Sequence, residues 1–306
     1  MTANLDGASE LFLVNVERIQ DRIAEASRQV SSGKKIEVAS DAPDSIEPLL
    51  QLRAEQQRNT QIQSNLGLAQ TDADTADSTL ANAIKLMDRA QTLATEGASD
   101  TLDASGRQAL ASEVQSLQQE MVSCSQTMVA GHYIFSGDLD TSPSYQLDPA
   151  AADGVDELST ASATRQIEDP AGGAFPSSMT AQAIFDSRNP DGSFAPDNVF
   201  AALSALQTAL QTGTSDDVAT AASSIQQASV RLNSAEAFYG TVERRIQDAQ
   251  SYAGAYDTQL QTQLSQTQDA DVASAALTLS QANTQLQAAF QMRASLPTRS
   301  LFDYLG

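Results

Sequence analysis

The sequence predicts a mainly α-helical protein, an elongated antiparallel helical bundle or coiled coil built from both chain ends, with a small β or irregular inserted domain. Two observations lead to this fold class. Apolar or small residues recur at alternating steps of three and four before residue 137 and after residue 197, as on one face of an α-helix. Between Gly137 and Pro196 the periodicity disappears, and six of the nine prolines fall there.

The first predicted helix lies near the N-terminus. Its apolar stripe contains Phe12, Val16, Ile19, Ile23, Ala26 and Val30. Ser9 is placed to cap its start, and Gly33 is predicted to end it. Asp41 and Pro43 then provide a cap and a first-turn proline for the next helix. The sequence therefore predicts a sharp joint between two helices, with Gly33, Asp41 and Pro43 as its key residues.

Two further stripes precede the insert. The first contains Ile62, Leu66, Ala69, Ala73, Ala76, Leu80, Ala83, Met87, Ala90 and Ala94, and the second contains Leu110, Val114, Leu117, Met121, Cys124 and Met128. Gly131 is expected to end the second of these helices. Within the insert, Ser144 to Leu147 and Arg165 to Glu168 are predicted as short strands.

The longest stripe follows the insert. A shorter helix through Phe200 and Leu210 is predicted first, capped by Asp197 and ended by a left-handed Gly213. A long helix then starts at Ser215. Its stripe contains Ile225, Ala228, Leu232, Ala235, Tyr239, Val242, Ile246, Ala249, Ala253, Tyr256 and Leu260. This seam alone spans roughly 54 Å of helix, which is too long for the interior of a compact domain.

The last helix carries a weaker stripe. It contains Val272, Ala275, Leu279, Ala282, Leu286 and Ala289, and Arg293 occupies the next position before Leu296 and Pro297. Because alanine fills about half of the seams, each helix buries little surface and depends on lateral neighbours. We therefore predict a rod core of Leu110, Val114, Leu117, Met121, Leu232, Tyr239, Val242, Ile246 and Leu260.

Composition excludes several classes of function. A formal net charge of -22 and a pI near 4.1 disfavour nucleic-acid binding, because the chain repels phosphate at long range. Cys124 and His132 are the only residues of their types, which leaves no set of ligands for zinc and no catalytic triad. We predict no enzyme activity, cofactor, metal or catalytic residue. No apolar run approaches the roughly 18 residues of a membrane span, so membrane insertion is not expected.

The two chain ends resemble the flagellin superfamily. Gln29-Val30-Ser31-Ser32-Gly33-Lys34-Lys35-Ile36, followed by Ala39-Ser40-Asp41-Ala42-Pro43, is similar to its N-terminal signature, although Ala42 replaces a second aspartate. Asp269-Ala270-Asp271-Val272-Ala273 through Leu301-Phe302-Asp303-Tyr304-Leu305 is similar to its C-terminal helix and tail. The two resembling blocks cover about the first 135 and the last 110 residues.

A segment before the insert resembles one branch of this superfamily. Gly131, Tyr133, Phe135 and Gly137 form a G-x-Y-x-F-x-G pattern similar to that of the hook-associated protein 3 branch, the hook-filament junction proteins. The opening residues, Met1 to Glu10, depart from the usual start of this branch. Flagellin, the filament subunit itself, therefore remains the alternative.

The resemblance implies a structural role outside the cell, in place of the cytosolic location that composition alone suggests. It implies export by the flagellar type III apparatus and helical polymerisation of the terminal helices, with the insert on the outside. Implied partners are copies of the chain itself, a neighbouring hook-associated protein, flagellin, the filament cap during assembly and an export chaperone. The implied assembly interface is Phe12, Val16, Ile19, Ile23, Val30, Val272, Leu279, Leu286, Phe290 and Leu296.

The resulting domain assignment has four parts. Residues 1–40 and 265–306 are assembly helices that we expect to be disordered in the monomer. Residues 41–136 and 197–264 form a discontinuous helical rod, and residues 137–196 form the outer insert. Two other classes compete with this interpretation. A helical-bundle enzyme would need inward-facing carboxylates or histidines, which the seams lack, and a cytosolic coiled-coil adaptor would act without export.

Overall fold

A computed structural model of the chain describes residues 3–38, 40–99 and 102–295. The helices are α1 (Ala3–Ser32), α2 (Pro43–Gly97), α3 (Ala104–Ser125), α4 (Ala181–Phe185), α5 (Val199–Thr212), α6 (Ser215–Gln268) and α7 (Val272–Ser295). The strands are β1 (Met128–Val129), β2 (His132–Tyr133), β3 (Tyr145–Leu147), β4 (Val155–Glu157), β5 (Gln166–Glu168) and β6 (Ala174–Pro176). Of the residues that the structure describes, 70% are helical, which confirms the predicted fold class.

The chain divides into two compact units. One consists of residues 1–58 and 256–306, and the other of residues 59–255. The first contains α1, α7 and the outer ends of α2 and α6. The second contains the remainder of α2 and α6, together with α3, α4, α5 and all six strands.

The core of the 59–255 unit is built from the predicted stripes. Leu66, Leu80 and Met87 of α2 and Leu232 and Ile246 of α6 are fully buried. They pack with the apolar faces of α3 and α5 in one continuous cluster. These helices form because apolar residues recur every three or four positions, so each helix has one face to bury. Much of the seam is alanine, which lets helix axes approach closely.

Cys124 lies in this core, as predicted. Its side chain is buried, and it accepts a weak contact at 3.7 Å from Asn82 Nδ2. Burial raises the pKa of the Cys124 thiol above its ordinary value, because an apolar environment disfavours the thiolate. The residue behaves as a small hydrophobic side chain.

A buried polar residue interrupts the stripe of α2. Asn59 occupies the seam position before Ile62 and is only 2% exposed. Its Nδ2 donates to the backbone oxygen of Ala253 in α6 at 2.9 Å. Its Oδ1 has no hydrogen-bond partner, so this position costs stability compared with an apolar residue.

Three antiparallel hairpins follow α3: β1-β2 precedes the insert, and β3-β4 and β5-β6 lie within it. Strands β3 and β5 confirm the strands predicted within 144–147 and 165–168. An aromatic cluster attaches the insert to the helices. Phe135 packs edge-on against Tyr239 of α6 and Phe185 of α4, at centroid distances of 6.2 and 5.8 Å. Tyr145 and Phe200 of α5 lie 5.2 Å apart.

Polar contacts complete this attachment. The carboxylate of Asp186 is fully buried. It accepts hydrogen bonds from Tyr145 Oη at 3.1 Å and Asn198 Nδ2 at 2.7 Å, and it pairs with Arg188 at 2.8 Å. Because this buried carboxylate is both hydrogen-bonded and paired with a guanidinium, the cost of removing its charge from water is offset.

Three predictions about helix ends are wrong in part: where α3 ends, which residue caps α5, and the conformation of Gly213, although α5 does stop there as predicted. Helix α3 ends at Ser125 and not at Gly131, which lies in the β1-β2 turn with φ of +87°. Helix α5 is capped by Asn198, because Asp197 instead accepts from Ser187 Oγ and Arg231. Gly213 is extended, with φ of -87° and ψ of 176°, and not left-handed. In each case a tertiary contact or a turn competes with the local capping signal.

Replacing Gly67 with alanine should stabilise the free chain. Gly67 is exposed within α2, and a Cβ added there meets no atom within 4 Å. Since glycine costs about 1 kcal/mol relative to alanine inside a helix, the melting temperature should rise by about 2–4 °C for a unit of this size. Thermal unfolding followed by circular dichroism measures this change.

Gly137→Ala provides the opposite control. Gly137 has φ of +55°, and an added Cβ would lie 2.4 Å from the backbone oxygen of Ala163. The melting temperature of this variant should fall. A Gly67→Ala variant that melts at or below the wild-type temperature would contradict the expectation.

Candidate assembly interface

Helices α1 and α7, from opposite ends of the chain, pack against each other. The buried residues of this contact are Val16, Ile19 and Ala26 in α1 and Ala275 and Ala282 in α7. The flanking positions are only partly buried: Phe12, Ile23, Val30, Leu279 and Leu286. The contact is therefore thin, because two of the five buried side chains are valine or isoleucine and the rest are alanine.

An aromatic pair lies near the end of the contact. Phe12 meets Phe290 edge-on at 6.2 Å, and the Arg293 guanidinium lies 5.5 Å above the Phe12 ring. Arg293 Nη2 also donates to Ser9 Oγ at 3.0 Å. The prediction that Ser9 caps the first helix is wrong, because α1 begins at Ala3. Ser9 instead contacts α7.

An apolar groove opens along one side of the α1-α7 pair. Its volume is about 690 Å³. It is lined by Leu11, Phe12, Asn15, Ile19, Gln285, Ala288, Ala289, Met292 and Arg293. Leu11 and Met292 are 67% and 66% exposed. We call this surface the α1-α7 groove. Exposed apolar side chains gathered in one concave surface are typical of a binding site.

The structure distributes the predicted interface residues between buried and exposed positions. Val16 and Ile19 face α7, whereas Val272 and Phe290 are 45% and 51% exposed. Leu296 lies outside the described residues, as does the tail after it. The periodicity did not identify Leu11 and Met292, because they flank the stripes. Their exposure depends on how the two helices are rotated relative to each other.

The joint holds the two chain ends together through backbone hydrogen bonds. Gly33 ends α1 with φ of +68°, a conformation that favours glycine. Its carbonyl accepts from Ala270 N at 2.9 Å, and the Gln268 carbonyl accepts from Lys35 N at 2.6 Å. Gln268 Nε2 donates to the carbonyl of the buried Ile36 at 3.3 Å. The end of α1 and the start of α7 therefore form one connected element.

Asp41 organises the loop between α1 and α2. Helix α2 begins at Pro43, as predicted. However, the Asp41 carboxylate does not cap α2, because Oδ2 accepts from Glu37 N and Val38 N, both at 2.9 Å. These two hydrogen bonds lower the pKa of Asp41 below its ordinary value, since they favour the ionised form.

The predicted rod-core residues lie within the helical seams. Leu232, Tyr239, Val242, Ile246, Val114, Leu117 and Met121 are buried in the 59–255 unit, and Leu110 is partly buried at its edge. Leu260 is also buried, in the 1–58 and 256–306 unit. Their spacing of three, four or seven residues therefore places these side chains on the inward face of each helix.

The branch motif forms the β1-β2 hairpin and the turn that follows it. Gly131 and Gly137 have φ of +87° and +55°. Tyr133 is partly exposed in β2, and Phe135 is fully buried in the aromatic cluster. His132 Nε2 lies 3.1 Å from Asp72 Oδ2 of α2. The motif thus connects α3 to the insert while contacting the long helices.

The described residues contain neither a candidate metal site nor a candidate membrane span. No group of three or more histidine, cysteine, aspartate or glutamate side chains within them is arranged to hold a metal ion. Among the helices of the same residues, none is long and apolar enough to cross a membrane.

The sequence matches two family models. Residues 6–140 match the bacterial flagellin N-terminal helical region, and residues 222–305 match the bacterial flagellin C-terminal helical region. Together the matches cover more than half of the chain. The chain therefore belongs to the bacterial flagellin family, and its role in the flagellum is structural. No curated protein matches the sequence significantly.

Several solved structures share the fold. A putative flagellar hook-associated protein from Vibrio parahaemolyticus matches with a TM-score of 0.64 and 19% identity, over 75% of this chain and 100% of that chain. Flagellar hook associated protein-3 from Legionella pneumophila matches with a TM-score of 0.60 and 14% identity, over 72% and 98%. FlgL from Bacillus cereus matches with a TM-score of 0.54 and 16% identity, over 72% and 100%.

Replacing Asp41 with asparagine should loosen the joint. Ionised Asp41 accepts two backbone hydrogen bonds, and its lowered pKa means that it stabilises the folded joint above the unfolded pKa near 3.8. This stabilisation is lost as the pH falls through the folded pKa. Amide exchange at Glu37 and Val38 should therefore be faster in Asp41→Asn at neutral pH, and the variant and wild type should converge in acid.

Asp44→Asn, in the first turn of α2, is the matched control. It removes the same charge three residues away and should leave exchange at Glu37 and Val38 unchanged. Equal exchange in wild type and Asp41→Asn at neutral pH would refute the assigned role.

Proposed function

We propose that this protein forms the junction between hook and filament of the bacterial flagellum, by helical polymerisation of its terminal α-helices. The observation that carries the proposal is the α1-α7 pair. Helices from opposite ends of the chain join in a thin contact and leave an apolar groove open. A surface of this kind gains stability when a neighbouring subunit covers it.

The branch motif favours a junction role over a filament role. Gly131, Tyr133, Phe135 and Gly137 keep the pattern that resembles hook-associated protein 3, and the buried Phe135 gives that pattern a role in packing. Similar solved structures are named as hook-associated or FlgL proteins and match over almost their whole length. The alternative is flagellin, the filament subunit, because the family models that match describe flagellin ends.

Deletion of the gene combined with labelling of the protein tests the proposal. The deletion strain should keep intact hooks, lose its filaments and release flagellin monomers into the medium. In the wild type, gold-labelled antibody should mark a short zone at the end of the hook. Label along the whole filament would support flagellin instead. Filaments of normal length in the deletion strain would rule out both roles.

The proposed partners follow from this position. The chain contacts copies of itself laterally, a neighbouring hook-associated protein on one side, and flagellin or, during assembly, the filament cap on the other. An export chaperone binds it before secretion through the flagellar type III apparatus to the outside of the cell. Catalysis has no part in this role.

Polar substitutions in the α1-α7 groove should weaken polymerisation. Leu11→Gln combined with Met292→Gln removes two exposed apolar side chains from the groove. Because these side chains are exposed in the free chain, its melting temperature should hardly change. The lost burial between subunits should raise the critical concentration for polymerisation by about tenfold or more. Light scattering against protein concentration measures it.

Leu68→Gln is the matched control for this experiment. Leu68 lies in α2 and is 64% exposed, so it is as accessible as Leu11 but lies outside the groove. Its critical concentration should equal that of the wild type. Equal polymerisation of the groove variant and the control would remove the groove from the proposal.

We also propose that the two assembly helices of the domain assignment, residues 1–40 and 265–306, become ordered only on assembly. The buried seam between α1 and α7 contains mostly alanine, and ordering a backbone costs about 1–2 kcal/mol per residue. In the free chain, amide exchange should be much faster in helices α1 and α7 of these segments than in α3 or α5. Strong protection of both segments in the monomer would contradict this.

A further inference from the structure

Helix α1 has a second exposed surface, on the side away from α7. Leu13 and Val14 are 63% and 49% exposed. Successive residues of an α-helix are rotated by about 100°, so Val14 lies nearly opposite Phe12 and Val16. Glu10 and Glu17 are exposed on the same side. We call these four residues the outer ridge.

The outer ridge and the α1-α7 groove have complementary chemistry. Along the helix axis, Leu13 and Val14 form the apolar centre of the ridge. Glu10 lies about one turn before them and Glu17 about one turn after. The groove has apolar walls and one cation, Arg293. None of the ion pairs among the described residues uses Arg293, Glu10 or Glu17. Both surfaces are therefore apolar, and each carries charge of the sign that the other lacks.

We infer that the outer ridge of one copy docks into the α1-α7 groove of the next copy, with the carboxylates of Glu10 and Glu17 next to Arg293. This inference rests on the proposed function, because it specifies the contact through which the terminal helices polymerise. Leu13 and Val14 bury their side chains against Leu11, the alanines and Met292. The charges then select the partner surface, since like charges brought together there are unfavourable.

The geometry of the two surfaces explains why a second copy is the occupant. Ridge and groove lie on different sides of the same helix pair, so a subunit that fills its neighbour's groove leaves its own groove open. Such a contact is heterologous, and its repetition produces a ring or a helical assembly. A chain that used one surface for both partners would close into a dimer instead.

Charge exchange tests the inference. Arg293→Glu places a carboxylate in the groove next to the ridge glutamates of the neighbour. Glu10→Lys combined with Glu17→Lys places two cations on the ridge next to Arg293. Each variant alone should raise the critical concentration for polymerisation about tenfold or more. At about 1 M salt, where the screening length is about 3 Å, the difference from wild type should shrink.

Mixing the two variants provides the decisive readout. The Arg293→Glu groove accepts the lysine ridge, and the Glu10→Lys, Glu17→Lys groove still carries Arg293 and accepts the glutamate ridge. An equimolar mixture should therefore polymerise at close to the wild-type critical concentration. Arg293 also packs on Phe12 and bonds Ser9. Loss of those contacts would weaken Arg293→Glu without rescue by a partner, so rescue separates docking from folding.

Matched controls keep the change in total charge the same. Lys85→Glu repeats the change of Arg293→Glu, and Glu96→Lys with Glu120→Lys repeats the change on the ridge, all at exposed positions of the 59–255 unit. Both controls should polymerise like the wild type. The inference is overturned if the test variants match these controls, or if the mixture polymerises no better than its components. A wild-type chain that never polymerises would instead refute the proposed function.

Discussion

The structure of the 1–58 and 256–306 unit depends on backbone hydrogen bonds between two turns that are far apart in sequence. Gly33 and Lys35 exchange bonds with Ala270 and Gln268 where α1 ends and α7 begins. These bonds involve the main chain, so they do not depend on the size of any side chain except at Gly33, where φ is positive. They bring two helices with weak, alanine-rich seams next to each other. Without these bonds, the apolar surface that α1 and α7 bury against each other would be too small to hold the two helices together in water.

The 59–255 unit solves a different problem. Its helices have long inward faces that contain many alanines. Because alanine side chains are small and alike, they do not determine where the insert packs against the helices. The aromatic cluster around Phe135, Tyr145 and Tyr239 determines that position, because large rings fit in few arrangements. The buried Asp186 adds direction, since its hydrogen bonds are satisfied only when β3, α4 and α5 meet at one place. Apolar shape and polar satisfaction thus act together.

The sequence was sufficient to predict the longer helices because each has a regular period of apolar residues over several turns, whereas the five-residue α4 inside the insert has no such period and was not predicted. Single-residue signals were less reliable. Asp197 and Asn198 are both good capping residues, and only the structure shows that Arg231 and Ser187 occupy the first and leave the second to cap α5. Asp41 similarly binds the loop before it and not the helix after it. Such choices depend on neighbours that are remote in sequence.

The candidate interface was only partly predictable for a related reason. The stripes predicted Val16 and Ile19 for the assembly interface; both are buried where α1 packs on α7 within one chain, so their role between subunits stays a prediction. Leu11 and Met292 lie beside the stripes, and their place in the groove follows from the rotation of each helix about its axis. Gln268 had no periodic signal, because its part in the joint comes mainly from its carbonyl oxygen. Backbone geometry of this kind is not encoded by the type of side chain.

Asn59 has a consequence for how α2 and α6 are aligned. A seam of repeated alanines looks nearly the same after a slide of one helical turn, about 5.4 Å, so small residues alone tolerate several alignments. In the observed alignment the Asn59 amide reaches the carbonyl of Ala253. A slide in either direction would break that hydrogen bond and leave both polar atoms of the buried Asn59 amide without a partner among apolar side chains. One unfavourable residue therefore makes the competing alignments worse than the native one.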